Sequence, residues 1–338
     1  VANNITNEVN VFVNDYIVPG VVDGVFKNDP LLAHLKANNL TVHPGGRQFQ
    51  ENFRYRPMIG GKYPVGGAFN VTKRRTADAG QFKLKHHYVN VTEFLEELDI
   101  EAKGPNAVFS LLQNDLEGAA QTMSAILAIE LYNSDSSGLD QAMNGLPEII
   151  SDGSASSYDG TTYTTYGGVT RSAVNNALDG QITRVNAAIT YKQLEEAYND
   201  VVLGDIEPNL IVTTNRGMSY IKQRFHPQYR VTQQDPKIGF TGVQFNNATI
   251  LQSQYAPGTQ GTDDSDLGNY YDASGETLWI LVTDALKMWV TDAKMFQFGF
   301  SGFKWSVDST IVSGQYFASV NITSPAPRLM HQLWDITG

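Results

Sequence analysis

The sequence predicts an α+β protein carrying an extended hairpin, and three patterns carry that prediction. Stretches of aromatic and polar residues alternating with period two mark strands. One sustained i, i+3, i+4, i+7 apolar pattern marks a long helix. A basic, turn-rich stretch between two strands marks a hairpin that has no core of its own. With 338 residues and 41% apolar content the chain can bury a sizeable core, and its length allows two or three lobes.

Residues 1–46 mix short apolar runs with Asn, Pro and Gly, as in Tyr16-Ile17-Val18-Pro19-Gly20, and include a short helix near 30–36. That texture predicts an arm with little core. Residues 49–56 then alternate as Phe-Gln-Glu-Asn-Phe-Arg-Tyr-Arg, residues 57–67 are rich in turns, and a return strand is expected over 80–91. Gly60-Gly61 and Gly66-Gly67 flank Lys62 and Pro64 at the centre of this hairpin. A hairpin standing off a domain exposes strand edges, which proteins keep only when charges guard them or a partner covers them.

A strand over 90–101 precedes the strongest helix signal, which opens at Gly104-Pro105 with proline in the favoured first position. Val108, Leu111, Leu112, Leu116, Ala119, Met123, Ile126, Leu127 and Leu131 follow the helical period. About 28 residues at 1.5 Å each give a rod about 40 Å long. Residues 134–168 read as loop-rich, and a helix over 190–203 has Thr190 as its N-cap, with Glu195 and Glu196 in the early turns. Residues 208–213 read as a buried strand leading into a helix at 215–225, 240–255 as strands, and the last seventy residues as further strands ending at 316–323. There is no fixed-period repeat and no flexible linker.

Charge narrows the function. The net charge of −11 argues against broad phosphate-backbone binding, and only 17% of residues are charged, few for a surface meant to stand alone in water. Between residues 41 and 90 nine cations, Arg47, Arg54, Arg56, Lys62, Lys73, Arg74, Arg75, Lys83 and Lys85, face Glu51 and Asp78, a net of +7. Between 91 and 160 thirteen acids face Lys103 alone, a net of −12. Strand alternation puts Glu97, Asp99 and Glu101 on one face, where like charges repel unless a basic partner covers them. Adjacent stretches of opposite sign either fold onto each other or meet their complements on another copy. The nine cations, with Glu93, Glu97, Asp99 and Glu101, are therefore the candidate inter-subunit contacts.

Catalytic and ligand motifs are missing. Gly61-Lys62 is followed by Tyr63 and fails the phosphate-loop pattern, and H-E-x-x-H and G-x-S-x-G do not occur. His86 and His87 are adjacent on a strand and face opposite sides, so they do not chelate one ion. His43 and His226 sit beside prolines at turns and read as structural. Asp263-Asp264-Ser265-Asp266 begins like a calcium loop, but Ser274 or Gly275 stands where a closing glutamate belongs. No catalytic, cofactor or metal residue is assigned. With no cysteine, no disulfide or thiolate site exists, which suits a reducing compartment. No apolar run reaches membrane-spanning length and the start shows no signal pattern, so a soluble, non-exported chain is expected, with its six Asn-x-Ser/Thr matches unmodified.

The order of elements resembles the major capsid proteins of tailed bacteriophages, which share the HK97 fold. Local phrases agree: Gly138-Leu139-Asp140-Gln141-Ala142-Met143, Tyr166-Gly167-Gly168-Val169-Thr170-Arg171, 208–214 followed by a helix with Gln223-Arg224-Phe225, and the stretch 239–250. The resemblance implies an N-terminal arm (1–46), an E-loop hairpin (47–88), a peripheral domain (89–155 and 300–338, with a spine helix over about 105–133) and an axial domain (156–299). It further implies hexamers and pentamers of an icosahedral head around double-stranded DNA, assembled in a host cytoplasm with portal and scaffolding proteins and in some relatives a decoration protein or protease. Some relatives cross-link a hairpin lysine to a neighbour's asparagine; Lys62 lies near the tip, but an ordinary surface ion pair is the preferred reading for it. Two alternatives stand: an encapsulin-like compartment with the same fold, and a monomeric β-rich glycan-binding or hydrolytic domain suggested by Trp279, Trp289, Trp305 and Trp334.

Overall fold

In the computed structural model the described residues are 29–70, 72–94, 105–133, 142–225, 233–234, 241–259, 273–293, 298–305 and 310–338, and side chains of 105–113, 225, 233–234, 241 and 305 are left aside. Helix α1 (Pro30–Asn38) starts where Asp29 accepts the N–H groups of Leu31 and Leu32, each at 3.0 Å, with proline in the first turn. Its Leu31, Leu32 and Leu35 are fully buried. Strand β1 (Leu40–His43) follows and pairs in parallel with β13 (Lys287–Thr291). Residues 29–43, expected within an arm that has little core, are thus built into the body: three leucines on one short helix outweigh the Asn, Pro and Gly around them.

The hairpin strands are β2 (Phe49–Arg54) and β3 (Ala77–Phe82), paired antiparallel from Phe49 opposite Phe82 to Arg54 opposite Ala77. The single return strand expected over 80–91 is two strands. β4 (Lys85–Phe94) turns away at Lys83-Leu84 and pairs for ten residues with β16 (Ile311–Thr323). The buried phase shifts there from Gly80 and Phe82 to Lys85 and His87, and because the first residues of the new phase are polar, the apolar pattern does not reveal the exchange of partners. Residues 95–101 of the expected next strand lie outside the described residues.

Helix α2 (Pro105–Tyr132) has 28 residues and matches the expected long helix almost to the residue. Leu116, Met123, Leu127 and Leu131 are buried on one stripe, and truncating one of them to alanine costs about 2–5 kcal/mol. The helix lies against β4, where His87 Nε2 meets Glu130 Oε2 at 2.7 Å while His86 on the opposite face bonds Ser319 Oγ at 2.6 Å. Glu130 also accepts the Met143 N–H at 3.0 Å and so fixes the chain's return beside the helix end.

Two sheets form the body. The first has the order β1-β13-β16-β14, with β14 at Gly299–Phe300; β15 (Lys304–Trp305) and β4 also pair with β16. The second has seven strands in the order β7-β17-β12-β8-β11-β10-β9: β7 (Gln181–Ala188), β17 (Met330–Thr337), β12 (Glu276–Leu281), β8 (Leu210–Thr213), β11 (Ala248–Gln252), β10 (Thr241–Phe245) and β9 (Gln233–Gln234). β17, in the stretch assigned to a peripheral domain, pairs in parallel with β7, and β13, in the stretch assigned to an axial domain, lies in the first sheet. Such long-range pairings leave no local trace in sequence.

Helix α3 (Leu146–Ile150) packs between α2 and β17, and the small hairpin β5 (Thr165–Tyr166) and β6 (Val169–Thr170) lies beside β3, where Gln81 N–H donates to Gly167 O at 2.8 Å. Helix α4 (Tyr191–Val201) opens on a capping box in which Thr190 and Gln193 exchange bonds, and α5 (Asn215–Phe225) follows β8, both close to their expected bounds. Trp279 is fully buried, 6.3 Å from the Tyr132 ring and 6.0 Å from that of Tyr158, and so seats α2 on the sheet as core.

Candidate inter-subunit interface

The base of the hairpin is fastened to its own body. Alternation turns Phe49, Glu51 and Phe53 inward and leaves Gln50, Asn52 and Arg54 exposed. Phe49 stacks on Trp289 at 4.4 Å and lies 5.9 Å from Phe82; Phe53 and Phe82 both reach Tyr166, at 5.5 and 5.0 Å. The buried Glu51 carboxylate is met by Lys287 Nζ at 3.0 Å. Gly80 stands where the Phe53 ring crosses β3, only 2.3 Å from where a Cβ would sit.

Tyr166 is itself held rigidly. The Arg171 guanidinium lies 5.4 Å from its ring and donates to the backbone carbonyls of Tyr163, Leu178 and Glu148. Burial pushes Arg171 below the usual guanidinium range and raises the Tyr166 hydroxyl, so the pair works as packing and hydrogen bonding, not as acid-base chemistry.

Beyond the base the hairpin leaves the body. Residues 57–70 and 72–76 form no strand, and Met58, Tyr63, Val65 and Phe69 are 72%, 58%, 106% and 65% exposed. The Tyr63 and Phe69 rings touch each other at 4.6 Å, beside a turn closed by Gly67 N–H to Pro64 O at 2.9 Å. Four large apolar side chains on one projecting element form the kind of patch that a folded protein uses for contact.

The predicted cations surround this tip unevenly. Arg47, Arg54, Lys62, Lys73, Arg74, Arg75 and Lys83 are exposed. Arg74 donates to Pro57 O at 2.6 Å, Arg75 pairs with Asp78 at 2.7 Å, and half-buried Arg56 donates to Asn175 Oδ1 at 2.7 Å. Lys85 differs: it is buried, so it is no free surface charge. Lys83 and Lys85 line an open polar cleft of about 720 Å³ beside β3 with Asp78, Gln81, Glu148 and Thr170. Of the acids, Glu93 is half-buried on β4, while Glu97, Asp99 and Glu101 lie outside the described residues.

Composition flagged the basic hairpin but missed the apolar tip, because Tyr63, Val65 and Phe69 sit among glycines and prolines with no period to draw attention to them. Among the described residues no cluster of His, Asp and Glu could hold a metal, and no helix is long and apolar enough to cross a membrane. His226 and the acidic run 263–266 lie outside the described residues.

A long helix, a sheet laid along it, a second sheet with flanking helices and a projecting hairpin together make the HK97-type fold of capsid and encapsulin shell proteins. Solved structures agree over almost the whole chain. The capsid of cyanophage A-1(L) is similar at a TM-score of 0.60 and 11% identity, covering 92% of this chain and 93% of that one. The capsid of a native GTA particle gives 0.59 and 9%, covering 90% of each. An encapsulin complex from Synechococcus elongatus gives 0.56 and 11%, covering 90% of this chain and 87% of that one. No protein-family model matches the chain, and no curated protein matches its sequence.

Proposed function

We propose that this chain is the major capsid protein of a tailed phage, a non-enzymatic subunit that assembles into hexamers and pentamers of an icosahedral head around double-stranded DNA. The observation that carries the proposal is the hairpin: its base is anchored through Trp289, Tyr166 and Lys287, while its tip leaves Met58, Tyr63, Val65 and Phe69 in water. A contact in which one patch meets a different patch on the next copy is heterologous, and it closes into rings when the rotation allows. The net of +7 over 41–90 and of −12 over 91–160 supports the pairing of the hairpin with an adjacent copy, Glu93, Glu97, Asp99 and Glu101 supplying the acids. The first sheet with α2 then serves as the peripheral domain and the seven-stranded sheet as the axial one. Overall acidity suits a wall that does not hold DNA fast. Assembly in a host cytoplasm, with portal and scaffolding partners, belongs to the same proposal.

The second reading, a bacterial compartment that encloses protein cargo, is favoured by one observation, the fold similarity to an encapsulin complex. One experiment separates the two. Particles purified from the native source are imaged and their contents extracted: double-stranded DNA supports a phage head, and an enzyme without genome-length DNA supports a compartment. A 37.2 kDa monomer with no particles at any concentration rejects both.

A further inference from the structure

The elements that flank the seven-stranded sheet carry a second pair of unlike patches. At one end α4 leads into a tight turn at 203–207, closed by Leu203 N–H to Ile206 O at 3.0 Å and Ile206 N–H to Leu203 O at 3.1 Å, with Gly204 at φ +62°. The turn holds Leu203 and Ile206 out at 45% and 41% exposure. Asp205 and Glu207 flank them, and Glu196 and Asp200 of α4 are exposed as well. Two apolar side chains held out beside Asp205 and Glu207 have little use on an isolated chain, where each exposed apolar group only adds unfavourable contact with water.

Helix α5 has the opposite character. Its eleven residues contain Arg216, Lys222 and Arg224 and no acid, and Lys222 and Arg224 are exposed near its end. Among the described residues no ion pair joins α5 to α4 or to the turn. The turn and the start of α5 sit at opposite ends of β8. The turn precedes Leu210, the first residue of β8, and Tyr198 OH donates to Pro208 O at that end. Helix α5 leaves from the far end of β8, and the Tyr220 ring lies against Gly338 just past β17, which runs the same way as β8 because both are antiparallel to β12. The four residues of β8 set the turn and the start of α5 about 13 Å apart.

We infer that copies of this chain meet head to tail through this sheet, the acidic turn 203–207 of one copy docking on the cationic helix α5 of the next. Two unlike patches, one from each copy, make a heterologous contact, the type that a ring requires. The contact rests on the proposed shell function but not on the hairpin, and it names a separate set of residues. Leu203 and Ile206 supply the apolar centre; Asp205, Glu207, Lys222 and Arg224 set the register and suppress wrong pairings.

The test uses the full chain in three forms: Lys222→Glu with Arg224→Glu, Asp205→Lys with Glu207→Lys, and all four changes together. Each pair alone places like charges across the contact, and the fourfold change restores attraction with the polarity inverted. Particle formation is followed by sedimentation velocity and electron microscopy across concentration, with thermal unfolding of the subunit as the control for folding. Each pair is expected to raise the concentration needed for particles at least about tenfold, and the fourfold form to recover most of that loss. Parental particles with both pairs assembling as readily overturn this contact and leave the shell proposal standing. A folded fourfold form that stays as defective as the pairs also overturns it. Leu203→Ser with Ile206→Ser is the further arm, expected to weaken assembly while leaving unfolding unchanged; unaltered assembly there removes these two side chains from the contact. A parent that forms no particles defeats the shell proposal itself.

Discussion

Replacing Tyr63, Val65 and Phe69 together by serine separates assembly from folding more cleanly than any other change in this chain. All three are more than half exposed, so the isolated subunit loses little: surface substitutions of this kind stay within about 0.5 kcal/mol each, and the contact between the Tyr63 and Phe69 rings adds about 1 kcal/mol at most. Covered by an adjacent copy, the same side chains are worth much more. Full burial of a large apolar side chain stabilises by about 1.5–3 kcal/mol, and the part still open to water in these three corresponds to about 4 kcal/mol per hairpin. That is about a thousandfold in the constant for one contact. Calorimetry of the subunit and sedimentation velocity across a concentration series measure the two quantities side by side. The reasoning fails if the triple variant forms particles at the parental concentration, or if its unfolding midpoint falls by the amount that a buried cluster of this size would give.

Three further outcomes follow from the packing. Asp29 is fully buried, caps α1 and accepts from Tyr132 and Ser253, so Asp29→Ala strands four donors and should cost about 2–4 kcal/mol in urea unfolding, whereas Asp29→Asn, which keeps an acceptor for the cap, should cost clearly less; equal losses would contradict the capping role. Burial pushes His331 down to about 4, so between pH 6.5 and about 4 the unfolded chain takes up a proton that the folded chain refuses; stability should fall by about 3 kcal/mol over that window and level off below it. His331→Gln should remove that part of the decline, and an unchanged pH profile would show that His331 does not cause it. Gly80→Ala drives a methyl into the Phe53 ring and should destabilise by about 1–3 kcal/mol and impair particle formation through the hairpin base; a neutral result would mean that β3 shifts freely.

Local chemistry was legible wherever it is written in a few consecutive residues. Pro105 and the apolar stripe set α2, Thr190 set the start of α4, and the fully buried β8 followed by α5 emerged from a short apolar run and its polar successor. Illegible were the features that depend on distant partners. Nothing near Lys85 says that β4 pairs with a strand more than two hundred residues away, and nothing in Glu51 says that Lys287 meets it. The charge contrast pointed to the hairpin, yet charge alone cannot separate Lys62, exposed near the tip, from Lys85, buried at the base. The apolar tip shows only when the body that fails to cover it is seen.

A density map of the assembled particle, resolved well enough to trace residues 57–73, tests the central claim most directly. The account predicts the tip of each hairpin lying on an adjacent subunit, with Tyr63, Val65 and Phe69 withdrawn from solvent. A tip folded back on its own subunit, or standing free in the finished shell, would contradict it.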